Sequence, residues 1–330
     1  MIPLTSADLP NDVLKYVQRA RADNTARTYR SQWRAFEVWC RQRGVTALPA
    51  EPMTVATYLA QRAQAGAAVA ALSVTLAALR FKHRTAALPF ALNDPTLALV
   101  LDGIRREHVG EQRQAEPLTG YLLREVLQGG DGSIEFLRSA ALLAILYVFA
   151  LRPAEAATLD WHMLGGGPGW LTIAPDAAEI VLLGSKASPR RMERVVVPTD
   201  ANPLAMAAIE RWVAAIGIAA GEPLLRAVRC NGAVGRSRLH AGNVSAIVKR
   251  AMTRHLERSG LTPDAARLRA RGFSGHSGRL GMYITTVEAG VPPQHIAALA
   301  RHKGMAMVRR YAARADMLKC ASHHTHGVGV

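Results

Sequence analysis

Ser274-Gly-His276-Ser-Gly-Arg279-Leu-Gly281 is the stretch on which the reading of this chain turns. His276 and Arg279 stand three residues apart, a spacing that puts both on one face of a helix. Ala300-Arg301-His302 follows, with His302 placed 23 residues after Arg279, and Arg309-Arg310-Tyr311 comes nine residues later. Two imidazoles, a guanidinium and a phenol near the end of a basic chain are suited to work on a phosphate. A tyrosine can attack phosphorus, an arginine can hold the non-bridging oxygens, and histidines can move protons or donate hydrogen bonds. His-x-x-Arg alone is a weak pattern, so the rest of a phosphate site has to be sought upstream.

That upstream half is present. The twelve apolar residues Ala140 to Leu151 predict a buried helix, and Arg152-Pro-Ala-Glu155 follows directly. A charge at the end of an apolar run needs a partner, and Glu155 is placed to orient Arg152. Pro153 suits the first turn of a new helix, where its missing N–H would be unpaired anyway. Lys186 lies in Gly184-Ser-Lys186-Ala-Ser, a turn between two β-like runs. A hairpin tip can lay such a lysine beside a phosphate, although a single turn lysine is more often simply exposed.

Bulk composition points to the same partner. The 330 residues, enough for about two domains, carry 41 Lys and Arg against 25 Asp and Glu, a net charge of +16. Such a charge concentrates polyanions and makes binding to a nucleic-acid backbone salt-dependent. The N-terminal residues have neither the cationic start nor the apolar core of a secretory signal. The longest apolar run is too short to span a bilayer, and no membrane association is expected. Cys40, Cys230 and Cys320 are odd in number and far apart, which predicts reduced thiols in a cytoplasmic protein. His323-His324-Thr-His326 lacks zinc-site spacing and reads as a chain end, so no metal site is expected.

The first hundred residues read as helices. From Asn24, a candidate N-cap, to Gly44, the positions Tyr29, Trp33, Phe36 and Cys40 form an apolar stripe. Arg27, Arg30, Arg34 and Arg41 fall on a different face. A second helix over Val69–Arg84 turns Leu72, Leu76 and Leu79 inward and ends in Arg80-Phe-Lys82-His-Arg84. One basic stripe is ordinary solvated surface; two in one small helical domain favour DNA. Ile104 to Pro117 is polar and reads as a linker, with the boundary near 115: an N-terminal domain over 1–112, linker to about 117, and a second domain over 118–330. There Trp170-Leu-Thr-Ile, Glu179-Ile-Val-Leu-Leu and Arg194-Val-Val-Val predict a small antiparallel sheet. Helices are expected at Leu204–Ile216, Asn243–His255, His276–Ala289 and Pro293–Ala300. Lys249, on the second of these, reads as a further DNA contact. The fold class is therefore mainly α, with an all-α domain preceding an α+β domain.

Taken together, the residues resemble the tyrosine recombinases, the phage-integrase family, and within it the Cre-like enzymes. The likeness rests on Ser274 to Gly281, on Cys40-Arg-Gln-Arg with Pro49-Ala-Glu-Pro52, on Arg105-Arg-Glu-His-Val, and on Gly290 fourteen residues after His276. It extends over about residues 20–316. It implies a SAM-like core-binding domain followed by the catalytic domain, the two clamped around duplex DNA. It also implies roles: Tyr311 as nucleophile, Arg152 and Arg279 as the clamp on the phosphate, and Lys186 as general acid. His276 would serve as acid/base or hydrogen-bond donor, His302 as a second donor and Glu155 as organiser. No metal, ATP or other cofactor is implied. The implied partners are double-stranded DNA with inverted-repeat sites and a homotetramer acting on two sites, monomeric or dimeric when free.

Two departures stand out. Where the family usually has Leu-Gly before the second histidine, this chain has Ala300-Arg301, and only 19 residues follow Tyr311. Two other readings keep the same fold: a DNA-relaxing enzyme of the topoisomerase IB kind, and a regulator that binds DNA without cutting it.

Overall fold

The computed structural model describes residues 23–90, 94–108, 115–164, 167–184 and 192–301. The chain divides into two compact units, Met1–Gln112 and Arg113–Val330.

Four helices build the described part of the first unit: α1 (Asp23–Gln42), α2 (Pro52–Gln64), α3 (Val69–Thr85) and α4 (Pro95–Glu107). The apolar spacing of α1 does what it predicts, because Phe36 and Cys40 are buried and Trp33 packs on Phe36. Leu72, Leu76 and Leu79 of α3 are buried as well. His83, between the basic residues of α3, is a core residue. Its Nε2 accepts from the Ala50 N–H at 2.8 Å and its Nδ1 lies 2.8 Å from the Leu79 carbonyl.

Two boundaries differ from the sequence reading. The helix α1 begins at Asp23, so Asn24 lies in its first turn rather than before it. The supposed linker from Ile104 opens inside α4, which runs on to Glu107. Asp94 caps that helix by accepting from Leu97 N at 3.0 Å, and Leu97 and Ile104 are buried seven residues apart on one face. Burial of that face carries the helix through Arg105 and Arg106 despite their charge.

The second unit is built around α6 (Ile134–Val148), in which every residue from Arg138 to Val148 is buried. It packs against α8 (Pro203–Ile216) and α11 (Ser277–Glu288), with α5 (Gly120–Gln128) and α9 (Val244–Arg258) also in contact. Trp212 of α8 is fully buried, and its indole N–H donates to the Leu224 carbonyl at 2.7 Å. That bond satisfies the polar end of an otherwise apolar ring. α7 (Pro153–Ala157) follows α6, and α10 (Pro263–Ala270) and α12 (Pro293–Leu299) flank α11 in sequence.

The sheet contains the three expected runs, as β2 (Gly169–Ile173), β3 (Ala177–Leu183) and β4 (Met192–Pro198), paired antiparallel. It gains a two-residue edge, β1 (Asp160–Trp161), parallel to β2. A second hairpin, β5 (Arg226–Val228) with β6 (Val234–Arg238), has no counterpart in the sequence reading. Its strands are short and rich in arginine, so no apolar alternation marks them. Among the described residues no helix is long and apolar enough to cross a membrane.

Candidate active site

The site begins where α6 stops. After Val148 the chain turns at Ala150, which takes a left-handed φ of 47°. Such a conformation costs a non-glycine residue about 1 kcal/mol. The turn sends Leu151 back into the core and presents Arg152 at the start of α7. Glu155 holds Arg152 twice: the backbone N–H of Arg152 donates to Oε2 at 2.8 Å and its guanidinium to Oε1 at 2.6 Å. Glu155 is buried, whereas Arg152 keeps about a quarter of its side chain exposed. The partnership expected from their spacing is therefore made, with the carboxylate beneath and the guanidinium reaching outward.

Arg279 approaches the same turn from α11. Its Nη1 donates to the Ala150 carbonyl at 2.7 Å and its Nη2 to the Ala300 carbonyl at 2.5 Å. One guanidinium thus ties the loop before Arg152 to the residue two before His302. Burial draws its pKa down from the ordinary arginine range, Tyr283 acts in the opposite sense, and Arg152 and Arg301 reinforce the lowering. An arginine keeps its charge under such pressure, which makes it a fixed source of positive potential.

Glycines let α11 come close enough for this. A Cβ on Gly278 would lie 2.8 Å from the Leu146 backbone, and one on Gly281 would lie 1.7 Å from the Leu118 carbonyl oxygen. The Leu118 N–H meanwhile donates to the Ser277 carbonyl at 2.9 Å. The turn ahead of α11 is tied by serines. Ser274 N donates to Ser277 Oγ at 2.9 Å, His276 N to Ser274 Oγ at 3.2 Å, and Gly275 N to Ser245 Oγ of α9 at 3.1 Å. His276 occupies the N-cap of α11 and is exposed, on the same helix start as Arg279.

Arg301, which the sequence marks only as a departure from the family's usual Leu-Gly, belongs to the same group. Its side chain is buried, its Nη2 donates to Glu155 Oε2 at 2.6 Å, and its Nε sits 3.3 Å from Glu193 Oε2 on β4. Glu193 went unnoticed because nothing in Met-Glu-Arg-Val distinguishes it from any acidic residue at a strand edge. Lys186, His302 and Tyr311 lie outside the described residues. Among those described, no group of three or more His, Cys, Asp or Glu residues is gathered to hold a metal ion.

The basic stripes of the first unit border one seam. Arg27, Arg30 and Arg34 are exposed on α1, and Arg80 and Arg84 on α3. Lys82 is half-buried with its ammonium over the Trp33 ring at 5.6 Å. Tyr29 and Phe81 meet across the seam with ring centroids 5.7 Å apart. In the second unit Lys249 is half-buried on α9.

Comparison with known proteins agrees with this architecture. Residues 14–87 match the phage integrase N-terminal SAM-like domain. Over 312 residues, 92% of this chain and 85% of the relative, the sequence is 27% identical to an integrase/recombinase XerD homolog of Selenomonas ruminantium. The fold is similar to that of a Tn1549 transposon integrase solved in complex with transposon right end DNA, with a TM-score of 0.57 at 15% identity, covering 93% of this chain and 97% of that one. It is also similar to a XerH site-specific recombinase bound to palindromic difH substrate, with a TM-score of 0.51 at 14% identity, covering 83% and 72%.

Proposed function

We propose that this chain, a tyrosine recombinase in its fold and in its relatives, cuts and rejoins DNA strands at specific sites through a phosphotyrosyl intermediate. The observation that carries this reading is the convergence of Arg152, Glu155 and Arg279 on the turn at Ala150, with His276 at the start of the helix that carries Arg279, in a chain matched over nine-tenths of its length by an integrase/recombinase homolog.

In the proposed reaction the phenolic oxygen of Tyr311 attacks the scissile phosphorus and gives up its proton to His276, acting as base. A Tyr–O–P bond forms, the P–O5′ bond breaks, and Lys186 protonates the departing 5′-oxygen. The 3′-phosphate remains on the protein, so the phosphodiester energy is stored and no ATP is consumed. A 5′-hydroxyl from a second strand then attacks the phosphotyrosine and releases Tyr311. Repeated on the other strands, the exchange passes through a Holliday junction. Arg152 and Arg279 would stabilise the charge that builds on the non-bridging oxygens, and each is preorganised by contacts already formed. His276, at the positive N-terminal end of α11, would donate to the same phosphate. Cationic side chains supply the electrostatics, and no cofactor enters the scheme.

The exposed arginines of α1 and α3 would follow the backbone of duplex DNA, with Lys249 as a further contact. Two inverted-repeat sites held by a homotetramer would supply the second strand. A nicked substrate that loses its 5′ fragment on cleavage tests the reading by trapping a covalent protein–DNA adduct. Replacing Arg279 by Ala should lower the adduct rate by about 10²–10³, the cost of one charge-stabilising donor. Unchanged cleavage by that variant would remove Arg279 from the clamp.

A further inference from the structure

The side chain of Arg301 does more than add charge near the site. Residue 301 adopts a left-handed backbone with φ 55°, which suits glycine and is unfavourable for arginine. The side chain is nevertheless only 6% exposed and lies between two carboxylates from different elements. On one side is Glu155, which also holds Arg152; on the other is Glu193 of β4. Glu193 is paired with Leu182 in the β3–β4 ladder, so it belongs to the two strands between which Lys186 lies in the sequence. The Ala300 carbonyl, in the preceding peptide, is held by Arg279. A strained backbone with a buried charge survives only where its surroundings enforce it.

We infer that Arg301 is a positioning residue for strand cleavage, bridging Glu155 and Glu193 so that the start of α7, strand β4 and the chain entering His302 are held in one arrangement. This rests on the recombinase reading above. The bridge acts through two effects. It divides the charge of Glu155 between two guanidiniums, so that Arg152 is less completely neutralised and keeps more positive potential for a phosphate. It also fixes three chain segments to one planar group, whose fork presents donors in several directions at once. Among the described residues the Nε and Nη1 of Arg301 and the Oε2 of Glu193 make no hydrogen bond, so Arg301 is hydrogen-bonded to Glu155 and meets Glu193 by charge alone, at 3.3 Å.

Three variants separate positioning from mere stability. Arg301→Gln removes the charge. Arg301→Lys keeps a cation but loses the fork. The double substitution Arg301→Gly with Glu193→Gln removes the bridge without stranding a buried carboxylate, and it gives the left-handed position a glycine. The measurements are single-turnover adduct formation at saturating nicked duplex, DNA affinity and thermal melting. The rate should fall by about tenfold or more in Arg301→Gln and in the double variant. DNA affinity should stay within about twofold, the pattern of an interaction that acts on the chemical step. Arg301→Lys should recover part of the loss, and the double variant should melt no lower than the parent. A double variant that cleaves within about twofold of the parent would overturn the bridge, while the recombinase reading would stand. A parent chain that forms no adduct would sink both.

Discussion

Gly281→Ala inverts the usual effect of filling a helical glycine. In an exposed helix interior this change stabilises by up to about 1 kcal/mol. Here the added methyl would sit 1.7 Å from the Leu118 carbonyl oxygen. An ordinary carbon–oxygen contact needs about 3.3 Å, so α11 and the Leu118 segment must separate by roughly 1.5 Å. The hydrogen bond from Leu118 N to the Ser277 carbonyl, now 2.9 Å, cannot survive that shift, which costs about 1 kcal/mol. Overpacking adds roughly 1–3 kcal/mol. After the helix-propensity gain, the net loss is about 2 kcal/mol, or roughly 4–8 °C in Tm for a unit of this size. Because Arg279 lies two residues away on the same helix, a displacement of that order should also slow cleavage by about 10². Thermal unfolding and adduct-formation rates on the same preparation check both effects. A Gly281→Ala variant that melts higher than the parent and cleaves normally would refute the close approach as what places Arg279.

Two further outcomes follow from the surface and from the core. Replacing Arg27, Arg30 and Arg34 together by Gln should weaken DNA binding nearly uniformly across sequences. It should also lower the slope of log affinity against log salt by about 2–3, measured by titrations at several salt concentrations. His255 is buried on α9, and burial pulls its pKa below the ordinary imidazole value, opposed by Glu125 3.7 Å away. The unfolded chain therefore binds the proton more readily than the folded one. This contribution is whole above the unfolded-state pKa and is lost as pH falls towards the folded one. Melting curves should show a smaller acid-induced fall in Tm for His255→Leu than for the parent between about pH 8 and pH 5.5.

What the sequence disclosed and what it hid divide along physical lines. Arg152 and Glu155 were legible because a charge that ends an apolar run must be compensated nearby, and a residue three positions on can do it. His276 and Arg279 were legible for a similar local reason. The bridge through Arg301 was not. Its partner Glu155 is 146 residues away, and its burial depends on a left-handed turn that no pattern of apolar residues reports. The glycines of α11 were visible as letters, but their purpose depends on the Leu118 segment lying against the helix. Helix α4 ran past its expected end because Ile104 is buried, a tertiary fact outweighing the local polarity of Arg105-Arg106. The β5–β6 hairpin escaped because three- and five-residue strands carrying arginine show no alternation.

The most direct measurement is the identity of the residue that becomes bonded to DNA. After reaction with a nicked suicide duplex, the trapped protein can be digested and the nucleotide-bearing peptide sequenced by mass spectrometry. The modified residue should be Tyr311, and Tyr311→Phe should bind the duplex while forming no adduct. A covalent adduct on another residue, or one that persists in Tyr311→Phe, would contradict the phosphotyrosyl mechanism.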